Sequence, residues 1–127
     1  MEYLPNTICV IEDNLSIRKL YVILLKKAGF EVREFEEGLP AIDWLSLNSP
    51  KIVICDDKLP DTSGLEIITK IRSFAHGKKL PIIAVTGFAQ DGDKERYLKA
   101  GFSGYLSKPI TTSAFVDQVL EIANSAQ

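Results

Sequence analysis

No apolar run in this chain approaches the roughly 20 residues needed to cross a bilayer. The opening MEYLPNT has no basic segment leading into an apolar one, so no secretory leader is expected. Charge of one sign is equally absent. Fifteen Lys and Arg stand against 17 Asp and Glu, a net charge of −2, and no basic block offers a nucleic-acid footprint. The expectation is a cytoplasmic protein that binds neither membrane nor nucleic acid directly. Cysteine is scarce: Cys9 and Cys55 lie inside apolar runs with no second thiol or histidine at metal-ligand spacing, and read as small buried hydrophobes. Counting by twos back from Asp13 and Asp56 puts the two thiols on opposite faces of a sheet, which argues against a disulfide. The one histidine, His76, sits in a loop reading HGKK and reads as a bystander, and the one tryptophan, Trp44, as a packed helix residue.

What is present suits one globular domain over residues 1–127, without linker, repeat or low-complexity segment. The runs Thr7–Ile11, Ile52–Cys55 and Pro81–Val85 are β-branched and unbroken by polar residues, the pattern of strands buried on both faces. Phe30–Phe35 carries Glu31, Arg33 and Glu34, as an edge strand does, and Gly104–Ser107 makes a short last strand. Between them lie helical patterns. Asn14 caps a helix with a stripe at Ile17, Leu20, Tyr21, Leu24, Leu25 and Ala28, leaving Arg18, Lys19, Lys26 and Lys27 outside, and Gly29 ends it. A second helix starts at Gly38-Leu39-Pro40, with Ala41, Ile42 and Leu45 inward, and Asn48-Ser49-Pro50 breaks it. A third runs from Gly64 to Ser73 with Leu65, Ile68 and Ile71 buried. The fourth, Asp91–Ala100, is mostly charged and should be the loosest element, and Gly101 stops it. The last runs from Thr112 to Ala123, capped by Thr111 or Thr112.

Five strand–helix units in alternation predict an α/β protein: a flavodoxin-like, doubly wound (βα)5 fold with a five-stranded parallel sheet in order 2-1-3-4-5. That order sets the first strand beside the third, so the acids Glu12-Asp13 and Asp56 meet at the strand ends, where open α/β sheets bind ligands. Three carboxylates in one crevice cannot all stay ionised without compensation. Mg²⁺ takes oxygen ligands and suits them, with Mn²⁺ as a substitute, and Lys108 at the end of the fifth strand adds a further positive charge. With the charge balanced, an Asp56 oxygen can act as nucleophile towards a phosphoryl donor and form an aspartyl-phosphate. Thr86, at the end of the fourth strand, can donate to a phosphoryl oxygen, and Gly87 leaves room for the backbone to approach. Tyr105 is placed to swing between sheet edge and solvent as Thr86 moves. Taken singly, Glu12-Asp13 suits a helix N-terminus, Asp57 a solvated turn and Lys108 an ordinary surface site; the joint placement at strand ends points to one site.

The chain resembles the receiver domains of response regulators in two-component signalling over essentially its whole length. The match rests on Glu12-Asp13, on Asp56 with Pro60 and Gly64 four and eight residues on, on Thr86, on Tyr105 and on Lys108-Pro109. The resemblance implies a phosphoacceptor module rather than an enzyme acting on an outside substrate. Asp56 would take its phosphoryl group from a histidine kinase or a histidine phosphotransfer protein. Asp13, Asp56 and the Lys58 carbonyl would hold Mg²⁺, with Glu12 acting through water. Thr86 and Lys108 would hold the phosphoryl group, Thr86 and Tyr105 would form the switch, and the Lys108-Pro109 bond is often cis. The Asp91–Ala100 helix, the last strand and the last helix would form the face that binds a downstream protein. Glu12 stands where aspartate is common, and residues at the Lys58 and Phe88 positions would tune phosphoryl lifetime. Both a single-domain regulator and a receiver belonging to a hybrid kinase fit.

Two other chemistries fit less well. A flavin carrier on this fold needs a hydroxyl- and glycine-rich loop after the first strand, where Glu12-Asp13-Asn14 would repel the flavin phosphate. A phosphatase with an aspartyl nucleophile needs a second acid two residues on, where this chain has Lys58. A receiver-shaped scaffold independent of phosphate would not need the intact set of acids, Thr86 and Lys108.

Overall fold

Strands with no polar face must be covered on both sides, and the computed structural model, which describes residues 1–87 and 92–125, covers them with helices. The elements run β1 (Glu2–Ile11), α1 (Leu15–Lys27), β2 (Glu31–Phe35), α2 (Gly38–Leu47), β3 (Asn48–Asp56), α3 (Gly64–Ser73), a 3-10 turn (Ala75–Gly77), β4 (Ile82–Thr86), α4 (Asp93–Ala100), β5 (Gly104–Ser107) and α5 (Phe115–Ser125). All strand pairs are parallel, in the order β2-β1-β3-β4-β5. The expected flavodoxin-like (βα)5 architecture is therefore what forms. Phe88 and Asp91 lie outside the described residues.

Alternation along the inner strands divides the core in two. Ile8, Val10, Ile52, Ile54, Ile83 and Val85 pack with Tyr21 and Leu25 of α1 and Phe115 and Val119 of α5. Tyr21 and Phe115 stack at 4.8 Å between ring centres and tie those two helices together. Cys9, Ile11, Val53, Cys55, Ile82 and Ala84 face the other way, towards α2, α3 and Tyr97 of α4. Each fully buried isoleucine contributes about 2–3 kcal/mol of transfer free energy.

This division corrects the expectation for the cysteines. The register pairs Ile11 with Cys55 and Cys9 with Val53, so both thiols lie on one face. The parity counted from Asp13 failed because Glu12, not Asp13, is the residue in step with Asp56. Both cysteines remain free and buried. Strand lengths also differ from expectation. Asn48-Ser49-Pro50 does not merely break a helix but pairs with Glu2–Leu4, lengthening β1 and β3 together, with a register shift between Leu4 and Ile8.

Two helices are rotated from their expected phase. In α1 the buried positions are Arg18, Tyr21, Val22 and Leu25, while Leu20 is 37% exposed. Arg18 turns inward because its guanidinium donates to the Glu12 carbonyl and to Glu34, both at 2.9 Å. In α3 the inward set is Gly64, Ile67, Ile68 and Ile71, and Leu65 is exposed. Gly64 presses on the preceding loop and sets that phase. The helix ends agree better. Asn14 accepts from Ile17 N as the α1 cap, and Gly29 and Gly101 take positive φ just past α1 and α4. The last helix starts at Phe115 rather than Thr112; Ala114 N donates to the Thr111 carbonyl, forming a turn ahead of it.

Arg72 staples two connections of this framework, the one between α3 and β4 and the one between α4 and β5. Its guanidinium donates to the carbonyls of Gly77, Leu80 and Gly101, holding the end of α4 to α3 and to the approach of β4. Arg72→Met keeps the aliphatic stem but strands those carbonyls, and is expected to lower the unfolding free energy by about 1–3 kcal/mol in denaturant titration. An unchanged midpoint would mean that water replaces the guanidinium without cost.

Candidate functional site

The inner strands and β5 stop at one edge of the sheet, each at a polar residue: Glu12 after β1, Asp56 closing β3, Thr86 closing β4 and Lys108 after β5. Register brings the acids together, because the next pair after Ile11 and Cys55 is Glu12 and Asp56. Glu12 is 1% and Asp56 6% exposed, whereas Asp13 is open to solvent. Carboxylate oxygens of Glu12, Asp13 and Asp56 lie within 4.8 Å of one another. The Lys108 backbone N–H donates to the Thr86 carbonyl at 2.7 Å, and its side chain turns inward. Its Nζ stands 2.8 Å from Glu12 Oε1 and 3.4 Å from Asp56 Oδ1. The Lys108-Pro109 bond is cis.

Glu12 is held on two sides. Its Oε2 accepts from Asn14 N at 3.2 Å, and its backbone N–H donates to the Phe35 carbonyl at 3.0 Å. Its Oε1, sealed from solvent, faces the Lys108 ammonium at 2.8 Å. Three carboxylates this close, two of them buried and sharing one ammonium, offer the hard oxygen ligands that fit Mg²⁺.

The loop after Asp56 is pinned by residues with little sequence signal. Gly64 N donates to the Asp57 carbonyl at 2.9 Å, and a Cβ on Gly64 would stand 3.1 Å from Asp57 Cα. Glycine suits that position for space rather than for backbone freedom, since its φ is not positive. Lys58 bridges to Ser63 across the loop, and Ser63 Oγ caps α3 by accepting from Glu66 N. Asp61 reaches across to the uncapped start of α2, accepting from Gly38 N at 2.8 Å and Leu39 N at 2.7 Å. Burial pushes its carboxyl up, but the backbone N–H groups of Leu39, Gly38 and Asp61 itself outweigh that and hold it below the usual range.

Asp57 is not the solvated turn residue it resembles in sequence. Its Oδ2 accepts from Thr86 Oγ1 at 2.7 Å and from Tyr97 Oη at 3.1 Å. Tyr97 in turn stacks on Tyr105 at 5.6 Å and meets Phe102 edge-on at 5.5 Å. The Tyr105 hydroxyl is buried and has no hydrogen-bond partner among the described residues. The hydroxyl of Thr86 thus points at Asp57 in this state. At Gly87 a Cβ would only touch Lys108 Cδ at 3.9 Å, so the strand end is not crowded there.

Electrostatics at the strand ends follow from this packing. Burial comes first, then the neighbouring Glu12 carboxylate, and together they push Asp56 up to about 8 against the opposing pull of Lys108. Across the window from the ordinary carboxylate range to about pH 8, native Asp56 keeps a proton that the unfolded chain has released. The native state then binds more protons, so stability must fall as pH rises. In EDTA, thermal melts of the wild-type protein are expected to shift downward from pH 5 to pH 8, on the ordinary acid and raised Asp56 values. Asp56→Asn should melt higher and lose most of that slope; a lower melting Asn variant with the slope intact would refute the charge balance described.

Comparison with known proteins converges on one family. The sequence profile of the response regulator receiver domain matches residues 8–120. The polar-differentiation response regulator DivK of Brucella anthropi is 34% identical over 116 residues, which span 91% of this chain and 94% of DivK. Among solved structures, the receiver domain of the sensor histidine kinase PA1611 from Pseudomonas aeruginosa PAO1 superposes with a TM-score of 0.85 at 27% identity. That alignment covers 94% of this chain and 98% of PA1611's, whose structure has a magnesium ion coordinated in the active site cleft. The chemotaxis response regulator CheY4 of Vibrio cholerae shares the fold, with a TM-score of 0.87 at 23% identity over 93% of this chain and 98% of CheY4. The chain belongs to the response regulator receiver domain family of two-component signalling.

Proposed function

We propose that the chain accepts a phosphoryl group on Asp56 from the phosphohistidine of a histidine kinase or histidine phosphotransfer protein, with Mg²⁺ (or Mn²⁺) held at Glu12, Asp13 and Asp56. The observation that carries this reading is the clustering of three carboxylates within 4.8 Å of one another, two of them paired with the ammonium of Lys108. An Asp56 carboxylate oxygen attacks phosphorus, the new O–P bond forms as the N–P bond breaks, and the donor imidazole leaves. Lys108, already aimed at Asp56 by its ion pair with Glu12, is positioned to take a phosphoryl oxygen. Thr86 supplies a hydroxyl to another once it turns from Asp57. The Lys58 carbonyl and the water-linked carboxylate of Glu12 complete the proposed oxygen set. A divalent cation would supply neutralisation of the charge that builds on the equatorial oxygens.

In this reading residues 1–127 act as one receiver unit whose only catalysis is its own phosphoryl transfer and dephosphorylation. The output is a changed α4-β5-α5 surface that a downstream protein recognises, through Thr86 and Tyr105. The small buried share of α4, confined to Asp93 and Tyr97 among its described side chains, supports a movable output element. DivK, a response regulator matched along nearly its full length, and the magnesium-loaded PA1611 receiver support the same assignment.

The test is labelling by acetyl phosphate with Mg²⁺, read by intact mass. Wild type should gain one phosphoryl group, Asp56→Asn none, and EDTA should abolish the gain. Lys108→Ala should slow labelling by about 100–1,000-fold, the range for loss of a preorganised charge stabiliser. Labelling that persists in Asp56→Asn would move the acceptor elsewhere.

A further inference from the structure

We propose that Asp57 is a positioning residue that holds the Thr86 hydroxyl off the phosphoryl site in the resting protein, and that Tyr97 carries its release to α4. The proposal rests on Asp56 being the phosphoacceptor. A threonine hydroxyl has one proton to donate, and here it goes to Asp57 Oδ2 at 2.7 Å. The same oxygen takes the Tyr97 hydroxyl at 3.1 Å, so one carboxylate joins the end of β4 to the middle of α4. Asp57 cannot drift to follow them. Its backbone N–H donates to the Val85 carbonyl at 3.2 Å and its carbonyl accepts from Gly64 N at 2.9 Å. It is a fixed acceptor, one residue from the group that gains the phosphoryl charge.

Two consequences follow. Thr86 cannot donate to a phosphoryl oxygen on Asp56 while it donates to Asp57, so the two acceptors compete for one proton. A phosphoryl group on Asp56 also sets new negative charge beside the Asp57 carboxylate, which weakens the resting arrangement from the other side. When Thr86 leaves, Tyr97 keeps or loses its own bond to Asp57, and its ring is stacked on Tyr105 on one side and set against Phe102 on another. The Asp57–Tyr97 contact therefore joins events at the phosphoryl site to α4 and β5. Asp57 thus sets the balance between resting and activated states without touching the transferred group.

Affinity for beryllofluoride with Mg²⁺, measured in four proteins, tests this: wild type, Asp57→Ala, Thr86→Ala and the double variant. Removing Asp57 should tighten binding about fivefold in wild type, the worth of one hydrogen bond released from competition. Loss of a negative charge alone would also tighten binding, but equally with or without Thr86. The gain should therefore fall below about twofold in the Thr86→Ala background. An equal gain in both backgrounds, or none in wild type, overturns the proposal. Asp57→Asn, which keeps the side-chain shape, should give a smaller gain that also vanishes with Thr86→Ala, and serves if Asp57→Ala does not fold.

A second readout needs neither metal nor phosphoryl analogue. In metal-free protein with methyl-labelled threonine, Asp57→Ala should move the Thr86 methyl resonance towards its position in beryllofluoride-bound wild type. A resonance that stays put counts against the resting latch. Wild type that binds no beryllofluoride at all would instead defeat the phosphoacceptor reading, which keeps the two failures apart.

Discussion

Because β1 and β3 run parallel with Ile11 opposite Cys55, the next residue along each is an acid, and Glu12 lies beside Asp56 below the protein surface. Two buried like charges and a third at the rim repel one another, and only Lys108 among the described side chains is paired with them. The cluster therefore opposes folding when no cation or proton is present. The rise of Asp56 to about 8 expresses that strain. A site that costs stability in isolation and gains it on neutralisation is a site poised for a ligand of opposite charge.

The rest of the molecule holds this arrangement in place. Tyr21 and Phe115 lock α1 to α5 beneath it, and Lys108 is fixed by its backbone bond to Thr86 before its side chain turns inward. Arg18 donates to the carbonyl of Glu12 from the first helix, so the carboxylate and its backbone are both restrained. Asp61 ties the loop after Asp56 to α2, and Ser63 ties it to α3. These contacts keep four side chains from separate strands within reach of one another, as preorganised chemistry requires.

Much of this was legible in the sequence because the fold follows from hydrophobic period and the site from where the apolar runs stop. Glu12, Asp56, Thr86 and Lys108 each end or follow a strand, and their meeting needs only the strand order. Side-chain identity at long range was less legible. Arg18 looks like an outer-face cation until its partners on β2 and at the end of β1 are known. Asp61 looks like a turn residue, and its role as the cap of α2 spans a separation of more than twenty residues that no local pattern encodes. Counting from Asp13 instead of Glu12, the residue in step with Asp56, displaces the cysteine faces by one position. A period of two makes such an error flip every side chain.

The asymmetry of restraint around Asp56 bears on how a local charge change becomes a change of surface. On one flank the acceptor loop is bound to α2 and α3 through backbone hydrogen bonds that do not involve the reacting groups. On the other flank Asp57 makes the contacts described above, its backbone N–H to the Val85 carbonyl of β4 and its carboxylate to the hydroxyls of Thr86 and, on α4, Tyr97. The described part of α4 buries only Asp93 and Tyr97, so little apolar contact holds it once those hydroxyl bonds change. Charge added at the strand ends meets a rigid wall on the α2–α3 side and a weakly held one on the α4 side. Displacement is expected along the softer direction. The difference lies in where the backbone is already committed: α4, rich in charge and poor in buried side chains, has few commitments among its described residues.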